Sequence, residues 1–194
     1  MNPRIPFVAA PLLVLTYGVI RIFDGLDGSR GPGLAWTSGH LAFIAALAFF
    51  VPVFLQMRRL AGRNTLSTVS TSVGILGILA VGTQFAIDIA VGFMSADHAG
   101  MSVYFDQIKS VPGVPFLVYD GGPFLFYLAQ LALVVQLAAA GRVKVWTPFL
   151  VLLDLLLPFL NKDFIPLGAV CLLVSFVPLA GQVARTARPA HALA

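Results

Sequence analysis

Hydrophobic residues in this chain fall into six long runs separated by short polar segments. The runs cover residues 5–23, 37–57, 69–93, 114–140, 144–160 and 164–183. A helix rises about 1.5 Å per residue, so roughly 20 apolar residues cross about 30 Å of hydrocarbon. No run alternates apolar and polar residues, as a membrane-spanning barrel strand would. The pattern predicts an all-α polytopic membrane protein whose six transmembrane helices form a single domain over 1–194.

The longest polar segment, between spans three and four, contains one amphipathic stretch. Its apolar residues recur at helical spacing and lie opposite polar ones: Met101, Tyr104, Phe105 and Ile108 against Ser102, Asp106 and Lys109. Such a face predicts a short helix lying at the outer membrane interface, over the end of the bundle.

Basic residues are divided unequally between the two sides that six spans create. One side holds Arg4, Arg58, Arg59, Arg63, Arg142, Lys144, Arg185 and Arg188, and the other holds Arg21, Arg30, Lys109 and Lys162. Short cytoplasmic loops carry the excess of Lys and Arg, so both termini are predicted to be cytoplasmic. All eight aspartates then fall in outer loops or in the outer halves of spans, and the chain has no glutamate.

Composition agrees with a membrane protein. Hydrophobic residues make up 59% and charged residues 10% of the chain, far from the averages of soluble domains. The net charge of +4 comes from scattered residues rather than a basic patch, which excludes nucleic acid as a partner. Nine Arg against three Lys is typical of a GC-rich bacterial genome. We therefore expect a multi-pass protein of the bacterial inner membrane, with the lipid bilayer as its surroundings.

Several polar side chains lie inside the spans at similar depth near the outer side. Burying an ionisable group in a span costs several kcal/mol, so such groups face the bundle interior and indicate a functional site. Gln84 and Asp88 share one helix face, and the residues 120, 123, 127 and 130 form one stripe. The predicted catalytic residues are Asp88, Asp120 and Asp154, and the predicted substrate-binding residues are Arg21, His40, Gln84, Tyr127 and Gln130.

Asp154 lies four residues before Pro158 in an otherwise apolar run. Proline lacks the amide that would bond the carbonyl of residue 154, so this residue offers two unpaired acceptors at one depth. Apolar surroundings also favour the protonated carboxylic acid. These features predict that Asp154 forms one wall of a polar pocket. The alternative is a structural ion pair of Asp88 or Asp154 with Arg21 or Lys162.

Three functional hypotheses follow. A protonated aspartate in a dry, aromatic-lined pocket can act as a general acid on a lipid-soluble small molecule, such as an isoprenoid that is cyclised or isomerised. A substrate-binding or transport component with an outward-facing acidic pocket is the second hypothesis. Its layout is similar to that of the substrate-capturing subunits of bacterial vitamin transporters. The third is a non-catalytic membrane subunit whose polar residues bind a partner helix.

The sequence predicts no metal site and no cofactor. No span carries two ligand residues at the spacing of a preformed metal site, and the single Cys171 excludes a thiolate cluster. An oligomer is compatible with the sequence.

Overall fold

Seven α-helices account for most of the chain. The computed structural model describes residues 2–186, and no strand occurs in this range, which confirms the all-α prediction. The helices are α1 (Ile5–Asp24), α2 (Leu34–Leu60), α3 (Thr65–Met94), α4 (His98–Lys109), α5 (Gly121–Ala139), α6 (Thr147–Leu160) and α7 (Ile165–Thr186). A π-helical turn (Pro115–Asp120) precedes α5, and a 3₁₀ turn (Lys162–Phe164) precedes α7.

Five helical segments are long and apolar enough to cross a membrane, as expected of a multi-pass membrane protein. They are Ile5–Asp24, Leu34–Leu60, Thr65–Met94, Pro115–Ala139 and Lys162–Arg185. α6 has only 14 residues, about 21 Å of helix. The predicted run begins at residue 144, but the Thr147 amide donates to the Lys144 carbonyl in a turn, and the helix starts after it. The sixth pass therefore stays a prediction.

The long helices form a closed ring in the order α1, α2, α3, α5, α6 and α7, with α7 packing back on α1. Large aromatic side chains fill its centre. Phe50 meets Phe126 and Phe176 edge to face, and Phe176 does the same with Phe7. All four are at most 1% exposed. This apolar centre holds the ring together and leaves the polar residues near one end.

Glycines allow α3 to approach α5 closely. A Cβ at Gly77 would lie 2.2 Å from the backbone nitrogen of Phe126, and one at Gly74 would lie 3.1 Å from Cβ of Ala129, also on α5. Small residues permit such backbone contact between membrane helices. The crossing sets the spacing of α3 and α5, and hence the position of Asp88 relative to the start of α5.

The short helix between spans three and four is present as α4. Asp97 caps it by accepting a hydrogen bond from the Gly100 amide at 2.8 Å. The predicted apolar face is the less exposed one, with Met101 buried while Ser102 and Asp106 are exposed. Its location at the outer membrane surface stays a prediction.

The predicted orientation depends partly on the ends of the chain. Arg188 and the C-terminal end lie outside the described residues, as does Met1. The structure contains no membrane, so cytoplasmic termini stay a prediction.

Candidate functional site

A cavity of about 270 Å³ lies at the end of the bundle where α1 ends and α2 begins, which we call the cavity end. Every helix of the ring contributes to its wall. Five of the residues predicted from the sequence to form the site line it together: Arg21, His40, Gln84, Asp88 and Tyr127. Side chains from α1, α2, α3 and α5 are thus brought into one space.

Aromatic side chains form much of the cavity wall. Besides Tyr127, these are Tyr17, Trp36, Phe43, Phe85, Tyr119 and Phe159. Phe43 stacks on Phe85 at 4.3 Å between ring centroids, and Tyr17 meets both rings edge to face. The electron-rich faces of such rings attract a positive charge. The cavity therefore has the aromatic lining that the first hypothesis requires.

His40 and Asp88 form a buried pair in the wall. Nε2 of His40 lies 3.5 Å from Oδ2 of Asp88, and their side chains are 7% and 12% exposed. Nδ1 of His40 lies 2.6 Å from the Trp36 carbonyl, which can only accept, so Nδ1 carries a hydrogen. A neutral imidazole beside a carboxylate would then place two lone pairs face to face. Nε2 is therefore the ring nitrogen that faces the carboxyl group of Asp88.

Trp36 fixes this pair in place. Its indole N–H donates to the backbone carbonyl of Asp88 at 2.8 Å, and its ring lies 4.2 Å from the His40 ring. Trp36 itself packs on Gly92, where a Cβ would lie 2.8 Å from the indole. Trp36 thereby holds α3 in position against α2 and packs against the ring of His40.

Two cationic side chains also belong to the cavity wall. Arg21 at the end of α1 and Lys162 before α7 both line it. Nε of Arg21 is 3.8 Å from Oδ1 of Asp163, whereas Nη2 of Arg30 is 2.7 Å from the same oxygen. Arg30 is therefore the closer partner of Asp163, and Nε of Arg21 is buried without a hydrogen-bond acceptor among the residues that the structure describes.

Tyr119 lines the cavity from the π-helical turn. Its hydroxyl is buried and has no hydrogen-bond partner among the described residues. The Lys109 ammonium of α4 lies 5.1 Å from the ring centroid, a cation–π contact. Short π-helical segments are frequent at functional sites, and this one places Tyr119 in the cavity wall.

The structure does not place Asp154 in the cavity wall. Asp154 is 5% exposed, and its Oδ2 accepts a hydrogen bond from Nε2 of Gln130 at 3.3 Å. It packs against α7, where a Cβ at Gly168 would lie 3.0 Å from Oδ1 and 3.4 Å from the carbonyl oxygen of Asp154. Both acceptors of this residue therefore lie next to α7, although Pro158 on the same helix does line the cavity. Gln130 is likewise buried away from the cavity.

The remaining predicted catalytic residue, Asp120, is exposed and does not line the cavity. It ends the π-helical turn, whereas Pro123 and Tyr127 lie in the regular helix that follows. The predicted stripe assumes regular α-helical spacing, and the wider π turn breaks that spacing before residue 121.

The two alternative ion pairs are also resolved by the structure. Asp88 contacts His40 and Asp154 contacts Gln130, while the carboxylate nearest to Arg21 is that of Asp163, at 3.8 Å. Within residues 2–186, no three His, Cys, Asp or Glu side chains converge as metal ligands.

Sequence reasoning did not select Tyr17, Trp36, Tyr119 or Lys162 for the site. Tyr17 lies one helical turn before Arg21, a spacing that would have identified it. Trp36 carried no such signal, because its role depends on contacts with another helix. Comparisons of the chain with protein families, with curated proteins and with solved structures find no match.

Proposed function

We propose that this chain is a membrane enzyme that transfers a proton to and from a lipid-soluble substrate in the cavity. His40 and Asp88 form the acid–base pair. The observation that carries the proposal is their buried contact in the cavity wall, with Nδ1 of His40 committed to the Trp36 carbonyl. The pair is thereby left with one proton that can be delivered to a bound molecule.

The reaction class is the isomerisation or cyclisation of an unsaturated, isoprenoid-like chain. The pair gives its proton to one carbon of a double bond, which leaves a carbocation at the other carbon. The Asp88 carboxylate and the aromatic rings stabilise this cation. Loss of a proton from a neighbouring carbon to the pair forms the new double bond and restores the acid. In a cyclisation, the cation is first attacked by a second double bond of the same chain.

This assignment moves the role of general acid from Asp154 to Asp88. Asp88 and its partner His40 line the cavity, whereas Asp154 is enclosed between α5, α6 and α7. A proton donor must come within hydrogen-bond reach of the atom that it protonates. Asp154 does not line the cavity and therefore does not meet this requirement as well as Asp88 does.

In the membrane, we place the cavity end at the outer side. The excess of Lys and Arg lies at the opposite end, in the connections after α2 and α5. The proposal also includes six passes in the bacterial inner membrane, with α6 crossing as the shortest of them. A substrate dissolved in the outer leaflet would then enter the cavity from the bilayer.

The test measures deuterium transfer and does not require the substrate to be identified in advance. Purified protein in lipid nanodiscs is incubated in D₂O with a bacterial lipid extract, and the lipids are analysed by high-resolution mass spectrometry. Because the acid exchanges with D₂O, we expect one lipid class to gain deuterium at carbon. Asp88→Asn should abolish this gain, and the exposed Asp120→Asn should retain it.

The other two hypotheses correspond to other outcomes. A lipid that co-purifies with the protein but gains no deuterium would favour a substrate-binding or transport component. Neither co-purification nor deuterium gain would favour a non-catalytic subunit. Deuterium gain that persists in Asp88→Asn would refute the role of the pair.

A further inference from the structure

Two side chains of the cavity wall have a buried hydrogen-bonding atom without a partner among the described residues. Nε of Arg21 and the Tyr119 hydroxyl are buried without acceptors in the part of the chain that is described. Lys162 lines the same cavity and takes part in no ion pair within residues 2–186. A buried donor without a partner is unfavourable, so a bound ligand that supplies acceptors would stabilise this part of the wall.

The charged side chains of the cavity wall are also unequal in number. Two cationic side chains, Arg21 and Lys162, line it, against one carboxylate, that of Asp88. The Asp88 carboxylate already contacts His40, and Asp163 lies closer to Arg30 than to Arg21. Arg21 and Lys162 therefore leave an uncompensated positive charge beside the aromatic wall.

We infer that the cavity binds a molecule with an anionic oxygen head group, a carboxylate or a phosphate, joined to an apolar chain. Arg21, Lys162 and Tyr119 bind the head group, because a charged acceptor satisfies the unpaired donors and offsets the excess positive charge. The chain lies along the aromatic wall towards His40 and Asp88. This inference rests on the proposed function for the reaction, but binding of the head group can be tested without any turnover.

The chain provides its own reporter. Of its two tryptophans, Trp36 lines the cavity, and Trp146 begins α6 at the opposite end of the bundle. In a Trp146→Phe background, Trp36 is the only tryptophan, and a bromine atom on a bound chain quenches its fluorescence. The probes are 12-bromododecanoate, 12-bromododecyl phosphate and 12-bromododecanol, added to the protein in nanodiscs of zwitterionic lipid.

We expect saturable quenching by at least one anionic probe, with an affinity at least tenfold above that of the alcohol. Saturation by the carboxylate alone or by the phosphate alone identifies the head group. Lys162→Gln should weaken the anionic probe about tenfold and leave the alcohol unchanged. Lys144→Gln, an exposed lysine at the opposite end of the bundle, is the matched control and should change neither.

Arg21→Gln should weaken the anionic probe in the same way. If this variant does not fold, the exposed Lys162 still carries the test, because its side chain contributes little to packing. Equal affinities of the alcohol and both anions, or no saturable quenching by either anion, would overturn the inference. That result would leave the deuterium assay unaffected. Conversely, saturable anion binding without any deuterium gain would retain the head-group site and refute the enzyme.

Discussion

The close crossing of α3 and α5 at Gly77 gives a sharp prediction for stability. In Gly77→Ala, the new Cβ would lie 2.2 Å from the amide nitrogen and 2.6 Å from the Cα of Phe126. The shorter distance falls about 1.2 Å below the 3.4 Å at which ordinary contact begins. The atoms that it meets belong to the backbone of α5, so no rotamer change relieves the clash. The two helices must therefore separate along their whole crossing.

The size of the effect follows from two opposing contributions. Overpacking of a well-filled interior costs about 1–3 kcal/mol, and the backbone contact here favours the upper part of that range. Alanine gains about 1 kcal/mol over glycine in helix propensity. We expect Gly77→Ala to lower the free energy of unfolding by about 2 kcal/mol.

Gly82→Ala, on the same helix, is the matched control. Its new Cβ would meet only a Leu47 methyl at 3.8 Å, an ordinary contact. This variant should be neutral or gain up to about 1 kcal/mol. The measurement is unfolding in mixtures of dodecyl maltoside and SDS, followed by circular dichroism. Equal stability of the two variants would refute the close crossing of α3 and α5, and with it the position of Asp88 relative to Tyr127.

Three further predictions concern other parts of the structure. Asp154→Asn keeps the side-chain volume, and deuterium transfer should stay within about twofold because Asp154 does not line the cavity. Complete loss of transfer would instead assign the general-acid role to Asp154. Gly168→Ala should lower the melting temperature, because the new Cβ would lie 3.0 Å from Oδ1 of Asp154. Gly181→Ala on the same helix is the control: its new Cβ would meet nothing within 4 Å, so the melting temperature should not fall. A reporter fused after Arg63 should be cytoplasmic and one placed at Ser102 external; the opposite result would put the cavity on the cytoplasmic side.

Much of the fold could be predicted from the sequence. The helices agree with the apolar runs to within about three residues at most ends. The reason is that lipid cannot hydrogen-bond the backbone, so an apolar segment in the membrane must form a helix. α4 can be predicted for the same kind of local reason, since its amphipathic spacing is visible in a dozen residues. The main discrepancy is the start of α5, where a π-helical turn (Pro115–Asp120) precedes the regular helix, and α6 starts three residues later than predicted, after a turn at Lys144.

The candidate site could be predicted only in part. Depth along a helix is a local property, so the sequence places Arg21, His40, Gln84, Asp88 and Tyr127 near one end, and all five line the cavity there. Asp154 lies near the same end but on a different side of its helix, next to Gly168. Its direction depends on how α6 is rotated against α7, which its own sequence does not specify.

The sequence by itself therefore determined which segments are helices and which polar groups are buried in them. Both depend on the free energy of placing a short segment in an apolar environment, which is a sum over local residues. The tertiary structure alone decided the pairing of His40 with Asp88, the shift of Asp120 out of the stripe and the entry of Tyr119 into the cavity. The His40–Asp88 pair depends on which helices are neighbours in the ring and on how each is rotated about its axis. The positions of Asp120 and Tyr119 depend on the π-helical turn before α5. Each is fixed by contacts between segments far apart in the chain, such as Trp36 with the Asp88 carbonyl.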